Sequence, residues 1–294
     1  MSAESLRDWK MHEKTNLKTK KLLAARIELH RAVQLVGAVG RSYSPPSGED
    51  EYGSLEWNNV SKLLVSVPVG QEEKIYAGLS LAKFNLGLYS QNGRLIEGMD
   101  LKKCTLSGAV NWLKVSLGKA GLQGEKLTME LPYEIPEYAG DTEKKFKYKP
   151  KNTFKEFSNL YENAALILSH YRENNDHASE IKCWPHHFDI AMQLIFEGEG
   201  NPDEKKYVGL GFSPGDENYK RPYYYINLWP APDIPLSDLP SIQGGKWNIE
   251  GWFGATLDIK NFKKINDAQA QMELVKTFYD AVLSEIFKII GREA

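Results

Sequence analysis

The chain has 294 residues, of which 41% are hydrophobic and 26% are charged, and its formal net charge is −2. These proportions are typical of a folded protein and argue against extensive disorder. The densest basic runs, at residues 18–21 and 144–151, stand beside predicted element boundaries and are interpreted as solvated ends. We therefore expect no nucleic-acid partner.

The cysteine count and the hydropathy pattern predict where the protein works. Cys104 and Cys183 are too few for a disulfide framework or a cysteine-rich zinc site, and they suit a reducing compartment. No apolar run approaches the ~20 residues that a membrane-spanning helix needs. The sequence thus predicts a soluble, cytoplasmic protein with no membrane association.

Four helices are predicted from apolar residues that recur at helical spacing. Thr153 with Glu156 forms a capping box, in which the two side chains would satisfy free amides of the first turn. The helices are expected from about Thr15 to Gly40, from near Ser107, from near Thr153, and from about Asn266 to Gly291.

Between the helices the apolar pattern switches to a period of two, which predicts strands. Asn92-Gly93 predicts a two-residue hairpin turn, because both residues tolerate a positive φ. No turn signal stands at Ala82-Lys83, so one long bent strand is an alternative there. The expected strands are Leu63–Val69, Ile75–Leu81, Phe84–Ser90, Arg94–Leu101, Phe188–Phe196, Tyr207–Ser213, Tyr223–Trp229 and Ile249–Ile259.

Short stretches in the two halves of the chain resemble each other in the same order, which favours an internal duplication. The similar pairs are residues 75–81 with 206–212, 84–89 with 224–229, and 96–98 with 249–251. The predicted fold class is α+β, with two similar helix–four-strand–helix halves and a mostly antiparallel sheet that carries helices on one face. The first half is assigned to residues 1–135, a connector to 136–150, and the second half to 151–294.

Alternate residues of a strand face opposite sides, so the second-half strands can be sorted into two sets. One set is almost wholly apolar and should lie under the helices. The other, which we call the mixed face, is small, aromatic and mildly polar, and its glycines would leave room for something to approach. Its candidate ligand-binding residues are His187, Asp189, Gln193, Gly209, Gly211, Tyr225, Asn227, Trp229 and Trp252.

Three occupants of the mixed face are considered: the equivalent face of the other half, a second subunit, or a ligand that stacks on Tyr225 and Trp229. We therefore expect a non-catalytic protein that binds a small molecule or assembles as a homo-oligomer. The alternative is an enzyme in which His187 and Asp189 serve as acid–base groups.

The stretch from Cys183 to Asp189 contains a cysteine, two histidines and a carboxylate, which could ligate zinc or form a thiol–imidazole pair. If the strand starts at Pro185, however, the adjacent His186 and His187 point to opposite faces. No further His or Cys cluster would complete a site, so no metal is predicted.

Two further motifs lack the context that they require. Residues 211–215 match the G-x-S-x-G nucleophile elbow, but a strand is predicted next and no histidine follows His187. Gly244-Gly245-Lys246 has neither a preceding strand nor a following helix, as a phosphate loop needs. Hence we expect a tight turn at Ser213 and no cofactor.

The chain resembles a family of bacterial proteins classed as a domain of unknown function. The likeness rests on residues 29–30 and 34–37 (LH and QLVG), 188–191 (FDIA), 211–215 (GFSPG), and 223–225 with 229–230 (YYY and WP). That family commonly has a tryptophan where this chain has Ser213, and other residues at His186 and His187. The resemblance implies no activity, substrate or cofactor, and it argues against a serine nucleophile or a histidine metal site.

Overall fold

The computed structural model describes residues 5–45, 51–197 and 205–292. The protein is α+β, as predicted, and the strand ladders in the described part are antiparallel. The helices are α1 (Thr19–Tyr43), α2 (Leu106–Lys119), α3 (Glu137–Gly140), α4 (Lys151–Glu173) and α5 (Ala268–Ile289). The strands are β1 (Leu55–Asn58), β2 (Leu63–Ser66), β3 (Ile75–Ser80), β4 (Asn85–Ser90), β5 (Leu95–Asp100), β6 (Lys182–Trp184), β7 (Asp189–Phe196), β8 (Lys206–Ser213), β9 (Tyr223–Trp229), β10 (Lys246–Asn248) and β11 (Phe253–Asp258).

The described chain forms two compact units, and each combines separate stretches of sequence. The first unit comprises Lys20–Asn159 and Lys182–Asp189. The second unit comprises residues 5–19, Leu160–Ile181 and residues 190–292. The duplication at residues 1–135 and 151–294 stays a prediction, because it concerns the ancestry of the halves rather than their compactness.

In the first unit the strand order is β6-β1-β2-β3-β4-β5. The strands β3 and β4 are separate, because the chain turns between Ser80 and Phe84, whose φ is 58°. The hairpin from β4 to β5 is closed by Gly93 at φ 83°. Its loop has three residues instead of the two predicted, since the amide of Ser90 bonds to the carbonyl of Arg94 at 3.0 Å.

In the second unit the strand order is β10-β11-β9-β8-β7. The predicted strand Ile249–Ile259 is only partly correct, because the chain reverses at Gly251, φ 76°, and places Asn248 opposite Gly254. Helix α5 packs on β9 and β11, and its Tyr279 hydroxyl donates to the carbonyl of Gly211 at 2.9 Å.

The predicted capping box is wrong. Helix α4 begins at Lys151, so Thr153 and Glu156 lie inside it and both are buried. The amide of Thr153 instead bonds to the carbonyl of Pro150 at 3.1 Å. Side-chain caps do form before two other helices: Thr105 accepts from Gly108 before α2, and Asp267 accepts from Ala270 before α5.

None of the helices in the described residues combines the length and the apolar character that crossing a membrane requires.

Candidate functional site

The mixed face is set by the register of β8, β9 and β11 in the second unit. Gly211 of β8 lies opposite Tyr225 of β9, and Gly209 of β8 lies opposite Asn227 of β9. On the other side of β9, Gly254 of β11 also lies opposite Asn227. The alternate residues are buried, as predicted for the apolar set. These are Ile190, Met192, Leu194, Phe196, Val208, Leu210, Phe212, Tyr224, Ile226, Leu228, Phe253, Ala255 and Leu257.

The glycines of the mixed face are covered by side chains of the neighbouring strand. A Cβ atom at Gly211 would lie 2.5 Å from the ring of Tyr225, and one at Gly209 would lie 2.2 Å from Oδ1 of Asn227. The room that the glycines were expected to leave for a ligand is therefore occupied by Tyr225 and Asn227. This arrangement pairs a large side chain with a glycine across the strands.

The other candidate residues of this unit differ in exposure. Gln193 is exposed, and Trp229 is 60% exposed near the end of β9. Trp252 is half-buried and lies against Gly254, where a Cβ atom would come 2.6 Å from its indole ring. The face is thus closed around its glycines.

An open cavity of about 910 Å³ lies along β11, from Trp252 to Asp258, where β9, β11 and β10 meet the loops before β9 and β10. We call it the edge cavity. Among the mixed-face residues, Tyr223, Trp252, Thr256 and Asp258 line it. Its volume lies within the range that encloses small-molecule ligands.

One end of the edge cavity is held by an ion pair between Arg221 and Asp258. The Arg221 Nε donates to both carboxylate oxygens, at 3.0 and 2.8 Å, and Nη2 also donates to Oδ2. The carboxylate further accepts from the amide of Lys260 at 2.7 Å. Hydrogen bonding to Asp258 raises the pKa of Arg221, so both charges of this pair are already satisfied.

A row of tyrosines forms an aromatic wall of the edge cavity. The rings of Tyr219 and Tyr223 lie 4.7 Å apart between centroids, and Tyr223 donates its hydroxyl hydrogen to Asp216 at 2.7 Å. The Asp216 carboxylate also accepts from the amide of Tyr219 at 2.8 Å, which fixes the turn before β9. Burial and the charge of Asp216 raise the pKa of Tyr219. The ammonium of Lys246 lies 5.3 Å from the ring centroid of Tyr219.

The sequence alone predicts part of the lining of this cavity and not the rest. Trp252 was a candidate residue, whereas Tyr219, Arg221 and Lys246 were not. The available signal was Asp216 three residues before Tyr219, a pattern that favours a turn with its side chain bonded to the backbone. No pattern in the sequence linked Arg221 to Asp258, which lies 37 residues later.

In the first unit, His187 lies exposed in a turn rather than on a strand. The turn carries Phe188 at φ 57°, and the amide of Phe188 bonds to the carbonyl of Trp184 at 2.7 Å. Consequently the rings of His186 and His187 lie side by side, with centroids 4.3 Å apart. The expectation that they point to opposite faces is wrong, because β7 begins only at Asp189.

The acidic residue Asp189 is half-buried and influences a buried thiol. Cys183 is fully buried, and burial, followed by the charge of Asp189, raises its pKa well above the usual value. A thiol of this kind is mainly protonated at neutral pH and is a poor nucleophile. Within the described residues, no three His, Cys, Asp or Glu side chains are grouped as a metal site requires.

The serine of the G-x-S-x-G match occupies a tight turn, as predicted. Ser213 ends β8, is 6% exposed, and accepts from the amide of Gly215 at 3.1 Å. The next regular element is β9 and not a helix. The strand–turn–helix geometry of a nucleophile elbow does not form here.

A buried histidine that motif reasoning did not single out as a site lies on α1 in the first unit. His30 Nε2 lies 2.8 Å from the carbonyl of Pro185, and Nδ1 lies 3.1 Å from the hydroxyl of Tyr138. A carbonyl only accepts, so Nε2 carries the proton and Nδ1 accepts from Tyr138. Burial, reinforced by the positive charge of Arg26, lowers the pKa of His30 to about 4. The ring is therefore neutral at pH 7, and its role is structural, because it links α1 to Pro185 and Tyr138.

Comparison with known protein families gives a match over most of the chain. A family model described as a family of unknown function, DUF5996, matches residues 15–285. No curated protein and no solved structure matches the chain.

Proposed function

The chain belongs to DUF5996, a family without an assigned activity, and from its geometry we propose that it is a non-catalytic protein that binds a small molecule in the edge cavity. The observation that carries the proposal is the coincidence of the cavity with the mixed face. Trp252, Tyr223 and Thr256 belong to that face and line the cavity. Aromatic walls with a few polar groups are typical of ligand sites.

The arrangement of charges supports binding rather than catalysis. The acidic group on the floor, Asp258, is engaged with Arg221 and with a backbone amide, so it is not available as a base. The acid–base alternative requires His187 and Asp189, and neither of them lines the edge cavity. A free acid–base pair within the cavity would be needed to favour an enzyme.

Cellular placement and assembly are parts of the same proposal. A cytoplasmic location is supported by the two free cysteines, which suit a reducing compartment and one of which is fully buried. Assembly of copies through the exposed Trp229 is the alternative use of the mixed face.

A metabolite library screened by thermal shift tests the proposal, since a ligand that binds the folded state raises the unfolding temperature. We expect a saturable ligand, and we expect Trp252→Ala to raise its Kd at least tenfold because that substitution removes an aromatic wall of the cavity. The matched control is Trp229→Ala, which removes an exposed indole outside the cavity lining and should change the Kd less than twofold.

Two results would contradict the cavity as the binding site. One is a library without any saturable ligand, and the other is a ligand whose Kd is unchanged by Trp252→Ala. Light scattering on the Trp229→Ala chain, run with the same samples, reports whether this tryptophan holds copies together.

A further inference from the structure

The charge on the edge cavity is positive once its internal ion pair is discounted. Arg221 and Asp258 neutralise each other. The remaining charged lining residues are Lys220, Lys246, Lys260 and Glu250. Three cations against one anion leave an excess of two positive charges facing the opening.

Among the described residues, the three lysines of the lining are not engaged in ion pairs. In the part of the chain that the structure describes, Lys220, Lys246 and Lys260 form no ion pair with an acidic side chain. Lys246 is held over the ring of Tyr219 instead, and this cation–π contact keeps its ammonium at the cavity wall. An ammonium placed in this way remains able to donate to an anionic group.

The aromatic side chains of the lining place a second requirement on the ligand, which is a flat shape. Tyr219 and Tyr223 form one wall, and the half-buried Trp252 contributes an indole against the backbone of Gly254. A flat ring system buries the most surface against such side chains, because aromatic groups prefer stacked or edge contacts with one another. The floor residue Thr256 is 3% exposed and offers a hydroxyl rather than a charge.

Resting on the proposed function, we infer that the ligand of the edge cavity is a planar aromatic compound that carries an anionic group, either a carboxylate or a phosphate. The ring packs on the aromatic side chains of the lining, and the anionic group lies at the lysines, nearest Lys246. A cationic or neutral analogue of the same shape binds more weakly, since it gains nothing from the excess positive charge.

Titration calorimetry on the full chain with three indoles of similar shape tests the charge requirement. Indole-3-acetate is anionic, indole-3-acetamide is neutral and tryptamine is cationic. We expect the acetate to bind at least tenfold more tightly than the acetamide, and tryptamine to bind most weakly. Adenosine monophosphate and adenosine form a second pair, and the pair with the larger ratio of anion to neutral affinity distinguishes a carboxylate from a phosphate ligand.

Lys246→Glu reverses the charge held over Tyr219 and should weaken binding of the anionic probe about tenfold. Lys246 is exposed on the short strand β10, so the fold should tolerate this change. The control is Lys155→Glu, an equal charge reversal at an exposed position of α4 outside the cavity lining, and it should leave affinity within twofold.

The outcomes separate the ligand class from the proposed function. Equal affinity for the three indoles, preference for tryptamine, or equal effects of both lysine substitutions would overturn the anionic class. If none of the probes binds but a library ligand that is not an anionic aromatic compound is lost in Trp252→Ala, the class is wrong and the cavity still functions as a binding site. If neither probes nor library compounds bind, both proposals fall.

Discussion

The histidine on α1 shows how one buried side chain makes stability depend on pH. His30 stacks on Phe188 with ring centroids 5.8 Å apart, and its Nε2 proton is donated to the carbonyl of Pro185. Adding a proton to this ring places a charge where water cannot solvate it, and Arg26 adds repulsion. The neutral form is thereby favoured in the folded protein.

The sign of the effect follows from the lowered pKa. Above pH 6.5 the ring is neutral in both folded and unfolded chains, and the contribution of His30 to stability is fully present. As the pH falls from 6.5 towards about 4, the unfolded chain binds the proton first, so the folded state loses stability. Near pH 4.5 this loss should reach about 2–3 kcal/mol, at 1.36 kcal/mol for each pKa unit.

Urea unfolding of the parent chain and of His30→Gln, each at pH 7.5 and pH 4.5, measures this contribution. Glutamine can still donate to Pro185 but does not titrate. The variant should therefore lose about 2–3 kcal/mol less than the parent between the two pH values. Identical losses in both chains would show that His30 is not the group responsible.

The arginine one position further along α1 ties this helix to the segment before α4. Arg31 is 1% exposed, pairs with Glu28 at 3.0 Å, and donates to the carbonyls of Asp141 and Lys144. Its guanidinium also lies 4.5 Å from the ring centroid of Phe146. One side chain thus fixes the fold of the connector through its fork of donors.

Replacing Arg31 by methionine should lower the free energy of unfolding by about 3–5 kcal/mol, because Glu28 and two carbonyls lose a buried partner. The comparison is Arg172→Met, which breaks an exposed pair with Glu180 and should cost less than about 1 kcal/mol. Urea denaturation measures both. Equal losses of unfolding free energy in the two variants would mean that burial of the Arg31–Glu28 pair does not contribute to stability.

At the scale of elements, two side-chain amides hold the N-terminal segment in the second unit. Asn163 of α4 accepts from the amide of Lys10 and donates to its carbonyl, both at 2.8 Å. Gln271 of α5 does the same for His12, at 2.8 and 2.9 Å. Because they bond to backbone groups at alternate residues, Asn163 and Gln271 act as a neighbouring strand would.

Gln271→Met removes one of these double contacts while it keeps the volume similar. Buried backbone groups of His12 would then lack partners, which costs about 2–3 kcal/mol. Amide hydrogen exchange at residues 9–13 should become faster in this variant, while exchange in the rest of the chain changes less. Gln269→Met, at an exposed site two residues earlier on α5, is the control and should leave exchange unchanged. Uniform acceleration along the whole chain would contradict a local clamp.

At the scale of the whole molecule, the two halves that resemble each other in sequence do not have the same boundaries as the two compact units. In both units a tyrosine covers glycines of neighbouring strands: Tyr89 covers Gly78 and Gly87 in the first unit, and Tyr225 covers Gly211 on the mixed face of the second. This repeated packing agrees with the short sequence similarities, and the duplication stays a prediction. The compact units instead follow contacts, and they divide α4 at Leu160.

Much of the architecture was predictable because its signal is local. Alternation along β7 and β9 reports which side chains are buried, since a strand points successive residues to opposite faces. The strands that were missed, β1, β6 and β10, have only three or four residues. Such strands are too short to show a repeating apolar pattern. In addition, β1 pairs with β6 through Leu55 opposite Cys183, and these residues are far apart in sequence.

The sequence by itself determined the α+β class, the apolar faces of the strands and the composition of the mixed face, because these depend on residue type and local periodicity. Only the tertiary structure decided where that face is open. Tyr225 and Asn227 close it over Gly211 and Gly209, and the cavity forms along β11 from Trp252 to Asp258. The position of the cavity depends on contacts between distant residues, such as Arg221 with Asp258, and no local pattern encodes which partner a side chain will meet.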